Sequence, residues 1–238
     1  MVPEWQKAIV TRIEQATANT RRYWLKMPET DNFVFLPGQF VTLDLPIHEK
    51  PNKRWRSYSI ASMPDGTNVI ELVIVYLDGG LGTEYLFKNI EVGSEITLRG
   101  PQGVFVLSEH MPENLFLICT GTGIAPYRSM LNCIKARNLP HGNVHLIFGT
   151  RTKADLLYYD EMRQLEKEIE NFHYHPVLSR EKWEGESGYV HHIYTRLCSD
   201  VPPAHFMLCG WKVMVDEAKQ RIQEMGYTRK DIHLELYG

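Results

Sequence analysis

Near residue 110 the chain changes its hydrophobic period, and that change constrains the fold more than any other feature. Before it, short apolar-alternating runs lie at Lys7–Ile13, Tyr23–Met27, Gln39–Leu45, Ser57–Ala61, Val69–Leu77, Glu95–Leu98 and Val104–Leu107, separated by turn residues such as Pro37-Gly38 and Asp78-Gly79-Gly80. Strands this short and this closely spaced predict an N-terminal antiparallel β-barrel over 1–110. After it, apolar runs at Leu115–Cys119, Val144–Phe148, Tyr174–Leu178, His205–Cys209 and Ile232–Leu236 alternate with stretches of helical spacing, such as Met214, Ala218, Ile222 and Met225. Five strand–helix repeats predict a C-terminal α/β domain over 111–238, with a five-stranded parallel sheet. Ligands of such sheets bind at the carboxyl ends of the strands.

Composition narrows the function classes. Lys+Arg 26 against Asp+Glu 29 leaves a formal charge of −3, which gives no electrostatic footprint for nucleic acid. Apolar content of 43% is that of a globular chain. Leu72–Leu77, the longest apolar stretch, is far short of the ~20 residues that span a bilayer. With no apolar leader at the start, these features predict a cytoplasmic protein. Four cysteines, at 119, 133, 198 and 209, are too dispersed for a disulfide framework or an iron–sulfur ligand set.

The strongest chemical signal is Cys119-Thr120-Gly121-Thr122-Gly123-Ile124-Ala125-Pro126. It follows an apolar strand and opens a helix predicted over Tyr127–Arg137. Gly121 and Gly123 permit a tight turn and close approach of backbone to a ligand, while exposed N–H groups and the helix dipole favour a pyrophosphate. Pro126 suits a first helical turn, where its missing donor costs nothing. Earlier in the chain, Arg56-Ser57-Tyr58-Ser59 sits in a strand, so Arg56 and Tyr58 project from one face and Ser57 and Ser59 from the other. An arginine suits a phosphate and an aromatic ring suits a flat conjugated ring. Asp78-Gly79-Gly80-Leu81-Gly82-Thr83 adds a second glycine-rich turn before a short helix, again an anion cradle.

Together and in this order, these pieces make the chain resemble the ferredoxin–NADP reductase family over nearly its whole length. Pro37-Gly38-Gln39-Phe40, Gly100-Pro101-Gln102-Gly103, Leu156-Leu157-Tyr158, Ser179-Arg180-Glu181, Cys209-Gly210-Trp211-Lys212 and Glu235-Leu236-Tyr237 complete the ordered set. The resemblance implies a flavin, FAD or alternatively FMN, in the barrel and NADPH or NADH as substrate in the second domain. It assigns Arg56 to the flavin pyrophosphate, Tyr58 to stacking on the isoalloxazine and Ser59 to bonding near its N5. Ser57 belongs to the same motif, and Gly80, Gly82 and Thr83 belong to the flavin phosphate turn. Thr120, Gly121, Thr122, Gly123 and Pro126 cradle the nicotinamide dinucleotide. Cys209, Gly210 and Glu235 sit near the nicotinamide, and Tyr237 covers the second flavin face. Ser59, Cys209, Glu235 and Tyr237 are the expected catalytic set.

Coenzyme choice turns on groups that meet a 2′-phosphate. Ser179, Arg180 and Lys182 follow the third parallel strand and Arg151 follows the second, as NADPH requires. Against this, the run from Trp183 to Val190 looks like a loop of NADH-using oxygenase reductases, and Glu184 and Glu186 would repel a phosphate. With no iron–sulfur ligands, electrons are expected to leave to a separate carrier, a ferredoxin or flavodoxin, steered by Lys50, Lys53, Arg54 and Arg56. The competing readings are a reductase component of an oxygenase, a reductase of free flavin, and a flavin-binding electron-transfer or sensor subunit without nicotinamide activity. No metal site is expected: His173 and His175 share a strand face and His191-His192 adjoin a helix, but neither pair has a third ligand suitably spaced.

Overall fold

Strand β1 (Trp5–Thr17) shows how the first half folds: Ala8 and Val10 point into a dry interior while alternate residues face water. The computed structural model describes residues 3–237. Strands β2 (Thr20–Lys26), β3 (Phe40–Asp44), β4 (Trp55–Ser59), β5 (Val69–Val75) and β6 (Glu95–Gln102) complete an antiparallel sheet in the order β4-β3-β6-β1-β2-β5. Its two end strands meet through an Ile60–Leu72 bridge and an Ala61 N–H to Glu71 carbonyl bond of 2.8 Å, which close the barrel. Tyr23, Leu25, Val41, Leu43, Ile70, Leu72 and Leu98 fill it. Helix α1 (Leu81–Lys88) adds Leu86 to the same core.

The expected strand at Val104–Leu107 does not form. Gly103 takes a φ of +104°, which turns the chain out of β6, and Val104 beyond it is 91% exposed. One compact unit therefore ends at Val106 and includes Arg128–Met130; Leu107–Tyr127 and the chain from Leu131 form the other.

In the second unit β7 (Asn114–Thr120), β8 (Asn143–Thr150), β9 (Phe172–Leu178), β10 (Glu186–Ser187), β11 (His205–Trp211) and β12 (Ile232–Tyr237) form a parallel sheet ordered β10-β9-β8-β7-β11-β12. The sheet has six strands rather than five, because the two residues of β10, too short to show a period, add to the edge of β9. Four longer helices are described here, not five: α2 (Ile124–Arg137), α3 (Tyr159–Glu168), α4 (Val190–Leu197) and α5 (Lys212–Glu224). Helices α4 and α5 bury Val190, Ile193, Val215, Ala218 and Ile222 with Phe116, Ile118, Phe206 and Leu208 of the sheet. Because all strands are parallel, Thr120, Thr150, Leu178 and Trp211 end at one edge, and β7 is where the strand order reverses.

Candidate functional site

In the barrel unit, ladder register places Arg56 opposite Leu43 and Tyr58 opposite Val41, so both project from one face of β4, and Ser57 lies opposite Thr42 on the other. Burial pushes the Tyr58 hydroxyl far above its ordinary value, partly offset by the Arg56 charge, so the ring is a neutral phenol at any working pH. The Arg56 guanidinium donates to the Trp55 carbonyl at 2.8 Å and the Lys53 carbonyl at 3.1 Å, which fixes the side chain. Its stem lies against Gly82: a Cβ there would sit 2.9 Å from Arg56 Cγ and 3.0 Å from Nε. Gly82 is in the first turn of α1, whose N-cap, Gly80, supplies no side-chain cap. A fixed arginine and the open N–H groups of a helix start thus converge, as a pyrophosphate requires. Thr83 works differently from expectation. Its hydroxyl is spent within the turn, accepting from Leu77 N–H at 3.1 Å and lying equally close to the Leu77 and Gly80 carbonyls, so it shapes the cradle and leaves only its backbone N–H for a ligand. Ser59 is buried, and Ser57 hydrogen-bonds Thr42, which bonds Gln102.

In the other unit the cradle is made of backbone. Helix α2 starts at Ile124, a turn earlier than the apolar spacing predicts, so Pro126 does fall in its first turn. Gly121 has a φ of +54° and open space where a side chain would be. Gly123 has none: a Cβ there would lie 2.5 Å from the Cys209 carbonyl oxygen. Gly210, with a φ of +139°, similarly admits the Thr120 hydroxyl, 2.8 Å from where its Cβ would be. Glycine on both sides therefore lets the β7 turn press against the end of β11. The Thr120 Oγ1 is buried without a hydrogen-bond partner, a polar atom left for a ligand at the mouth of the turn. Thr122 lies between the two glycines in the same turn.

The same edge carries a row across three strands, Cys119 beside Cys209 beside Glu235. Burial, then Glu235, drives the Cys209 thiol well above its ordinary value, and a Tyr237 hydrogen bond opposes this. Cys209 is a neutral thiol, not a nucleophile. At the ends of β8 and β9, Ser179 donates from its backbone N–H at 3.0 Å and its hydroxyl at 3.2 Å to the Thr150 carbonyl, and Arg180 N–H donates to the Arg151 carbonyl at 2.9 Å. These bonds set Arg151 and Arg180 side by side, both exposed.

The oxidoreductase FAD-binding domain family matches residues 7–107, and the oxidoreductase NAD-binding domain family matches 117–220. A relative from Sorangium cellulosum, "Ferredoxin--NADP reductase B", is 35% identical over 86% of this chain and 86% of its own length. The chain belongs to the ferredoxin–NADP reductase family. A second relative, the anthranilate 1,2-dioxygenase electron transfer component of Acinetobacter baylyi, is 30% identical over 96% of this chain but only 66% of its own length. A solved ferredoxin NADP+ reductase from Neisseria gonorrhoeae with bound FAD and NADP shares the fold, with a TM-score of 0.80 and 24% identity over 98% of each chain.

As a member of this family the protein is an oxidoreductase that binds FAD and a nicotinamide dinucleotide. The Arg56–Gly82 convergence fits the charged pyrophosphate of FAD, and the Gly121–Gly123 turn with its orphaned Thr120 hydroxyl fits the dinucleotide. In this reductase no helix is long and apolar enough to cross a membrane among the described residues. The histidines are arranged as sequence alone does not reveal. His173 and His175 are joined by His145 of β8, whose Nδ1 lies 3.1 Å from His175 Nε2 and whose ring stacks on His173 at 4.8 Å. Burial and the neighbouring histidines hold His145 down at about 4, and His175 is likewise held at about 4. Both rings are therefore uncharged at neutral pH, and among the described residues no group of three or more His, Cys, Asp or Glu side chains is placed to hold a metal ion. His191 bonds Tyr194 at 2.8 Å and Glu217 at 3.2 Å.

Sequence names Gln39 only within the Pro37-Gly38-Gln39-Phe40 run and does not single out Lys153; each has a partner far along the chain. Gln39, next to the Pro37-Gly38 turn, accepts from Leu36 N–H at 2.8 Å and donates to the Gly103 carbonyl at 3.1 Å, pinning the loop before β3. Lys153 holds Glu184 at 2.7 Å, and its backbone N–H donates to Glu181 at 2.8 Å.

Proposed function

We propose that this reductase takes hydride from NADPH onto bound FAD and passes the electrons to a separate carrier protein, a ferredoxin or a flavodoxin. The observation that carries NADPH is the charge at the ends of β8 and β9. Arg151 and Arg180 are exposed there and, among the described residues, have no ion-pair partner, whereas Glu184 and Glu186 are engaged by Lys153 and Arg196. A 2′-phosphate adds negative charge and acceptor oxygens that guanidinium groups bind in a bidentate manner. The Sorangium relative, matched at both domains, supports the same coenzyme.

The bound flavin supplies the redox chemistry, accepting hydride and releasing electrons. The chain supplies position and field. Arg56 and the open N–H groups of α1 offset the pyrophosphate charge; Tyr58 offers a neutral ring; Ser59 bonds the flavin's polar edge. Gly123 and Gly210 let the coenzyme turn approach Cys209, which with Glu235 and Tyr237 lines the nicotinamide. A neutral Cys209 thiol adds no charge beside a ring that becomes cationic on oxidation. Lys50 and Lys53 are exposed next to the flavin motif and suit an acidic carrier.

A second reading, a reductase component of an oxygenase that uses NADH, is favoured by the Acinetobacter relative's match over 96% of the chain. An anaerobic spectral titration separates the two. NADPH is expected to bleach the flavin band at much lower concentration than NADH. Bleaching by NADH alone selects the oxygenase reading, and a flavin that neither coenzyme reduces overturns both.

A further inference from the structure

The segment after β9 carries three carboxylates, Glu181, Glu184 and Glu186, beside the place proposed for a 2′-phosphate. Left free, they would oppose a dianion. None is free. Glu181 accepts the Lys153 backbone N–H at 2.8 Å, Glu184 takes the Lys153 ammonium at 2.7 Å, and Glu186 pairs with Arg196. The indole of Trp183 holds the arrangement in place. Its Nε1 donates to the Glu186 carbonyl at 2.7 Å, its ring meets Tyr159 edge-on at 6.2 Å, and the Lys153 ammonium lies 5.9 Å above it. Gly185 is required by this packing, since a Cβ there would lie 2.4 Å from the indole. Lys153 thus meets two of the three carboxylates, one through its backbone and one through its side chain, from a short turn that follows β8.

Lys153 and Glu184 are both at least half exposed, and such a pair contributes little to stability. Its effect is electrostatic: it cancels a negative charge on the segment that begins beside Arg180, and Lys153 itself stands two residues from Arg151.

We propose that Lys153 is a specificity-determining residue that favours NADPH by masking Glu184, leaving Arg151, Arg180 and Lys182 to present an uncompensated positive surface to the 2′-phosphate. This inference rests on the NADPH reading above. It makes coenzyme preference depend on a residue that need not touch the coenzyme, and it predicts that the acid-rich segment is compatible with NADPH only while Lys153 is present.

The test is a double-mutant cycle of Lys153→Met and Glu184→Gln, read by calorimetric titration of the flavin-loaded protein with 2′-phospho-ADP-ribose and with ADP-ribose, alongside the steady-state KM for NADPH. Lys153→Met is expected to weaken 2′-phospho-ADP-ribose about five- to tenfold, the size of one unmasked charge at the protein surface, and to leave ADP-ribose within about twofold. The rise should appear in KM and not in kcat. Adding Glu184→Gln to Lys153→Met should restore affinity to within about twofold of the parent. If Lys153→Met leaves 2′-phospho-ADP-ribose binding unchanged, or weakens both probes equally, the masking role is overturned. A double variant as weak as Lys153→Met overturns it too, since Lys153 would then bind the phosphate itself. Failure of the underlying reading looks different: the parent protein itself would bind both probes equally, and the inference would fall with it.

Discussion

The two cradles in this molecule solve the same electrostatic problem with different materials. In the barrel unit the cradle proposed for a pyrophosphate is a side chain, Arg56, held by backbone carbonyls and laid over Gly82. In the α/β unit the proposed cradle is bare backbone: Gly123 and Gly210 let two strand ends lie so close that a methyl group added at Gly123 meets a carbonyl oxygen at 2.5 Å. A cradle built on a charge should weaken by degrees as that charge is altered. A cradle built on missing side chains should fail abruptly when one is added.

The largest effect should therefore come from Gly123→Ala. The β7 turn must move off Cys209, and a displacement near 1 Å costs roughly a hundredfold in a hydride-transfer rate that depends on alignment. Stopped-flow reduction of the flavin by NADPH should fall by about that factor, while the flavin content of the purified protein should match the parent. Loss of flavin as well would break the comparison, since the two cradles would then not be independent. Next in size, Arg56→Ala should weaken FAD by about thirtyfold, as expected for losing charge-assisted bonds worth about 2 kcal/mol. Ultrafiltration of the loaded protein measures this, and affinity for ADP-ribose should stay unchanged. Undiminished FAD retention would remove Arg56 from the cradle.

The smallest effect concerns stability. His145 and His175 are held at about 4 in the folded protein against an ordinary 6.5. As pH falls below 6.5 the unfolded chain takes up protons that the folded chain refuses, so stability is present above that value and is lost on the way down to about 4. Between pH 7 and 4.5 the melting temperature should drop by about 5 °C more in the parent than in a His145→Gln, His175→Gln variant. Equal drops would mean that the two rings titrate normally. Both rings belong to the α/β unit, so the difference between parent and variant reports on that unit.

Most of the fold was legible because alternation and helical spacing report burial directly. The exceptions have local causes. Val104 continues an apolar pattern, but the backbone has already turned away at Gly103. Glu186 and Ser187 form a strand only because β9 offers them an edge. At the sites, neither Arg56 nor the Gly121–Gly123 turn is specific alone, because exposed polar strands and strand-to-helix turns carry the same residues; the ordered set of motifs along the chain is what made them readable as candidate sites. What sequence did not show is pairing at a distance: Arg56 with Gly82, Thr83 closing its own turn, His145 with His175, Lys153 with Glu184. Each depends on ladder register or loop path, which no local pattern encodes.

The two-residue strand β10 has a consequence for how this protein can change over time. The segment between Ser179 and Gly188 returns to the sheet through only two register pairs, Glu186 with Val177 and Ser187 with Leu178, and most of its residues face water. Substitutions there alter the charge offered to a coenzyme without disturbing the buried strands beside it. Drift in this stretch is therefore cheap for the fold, and under the proposed NADPH reading it is where a change of coenzyme preference is expected to arise.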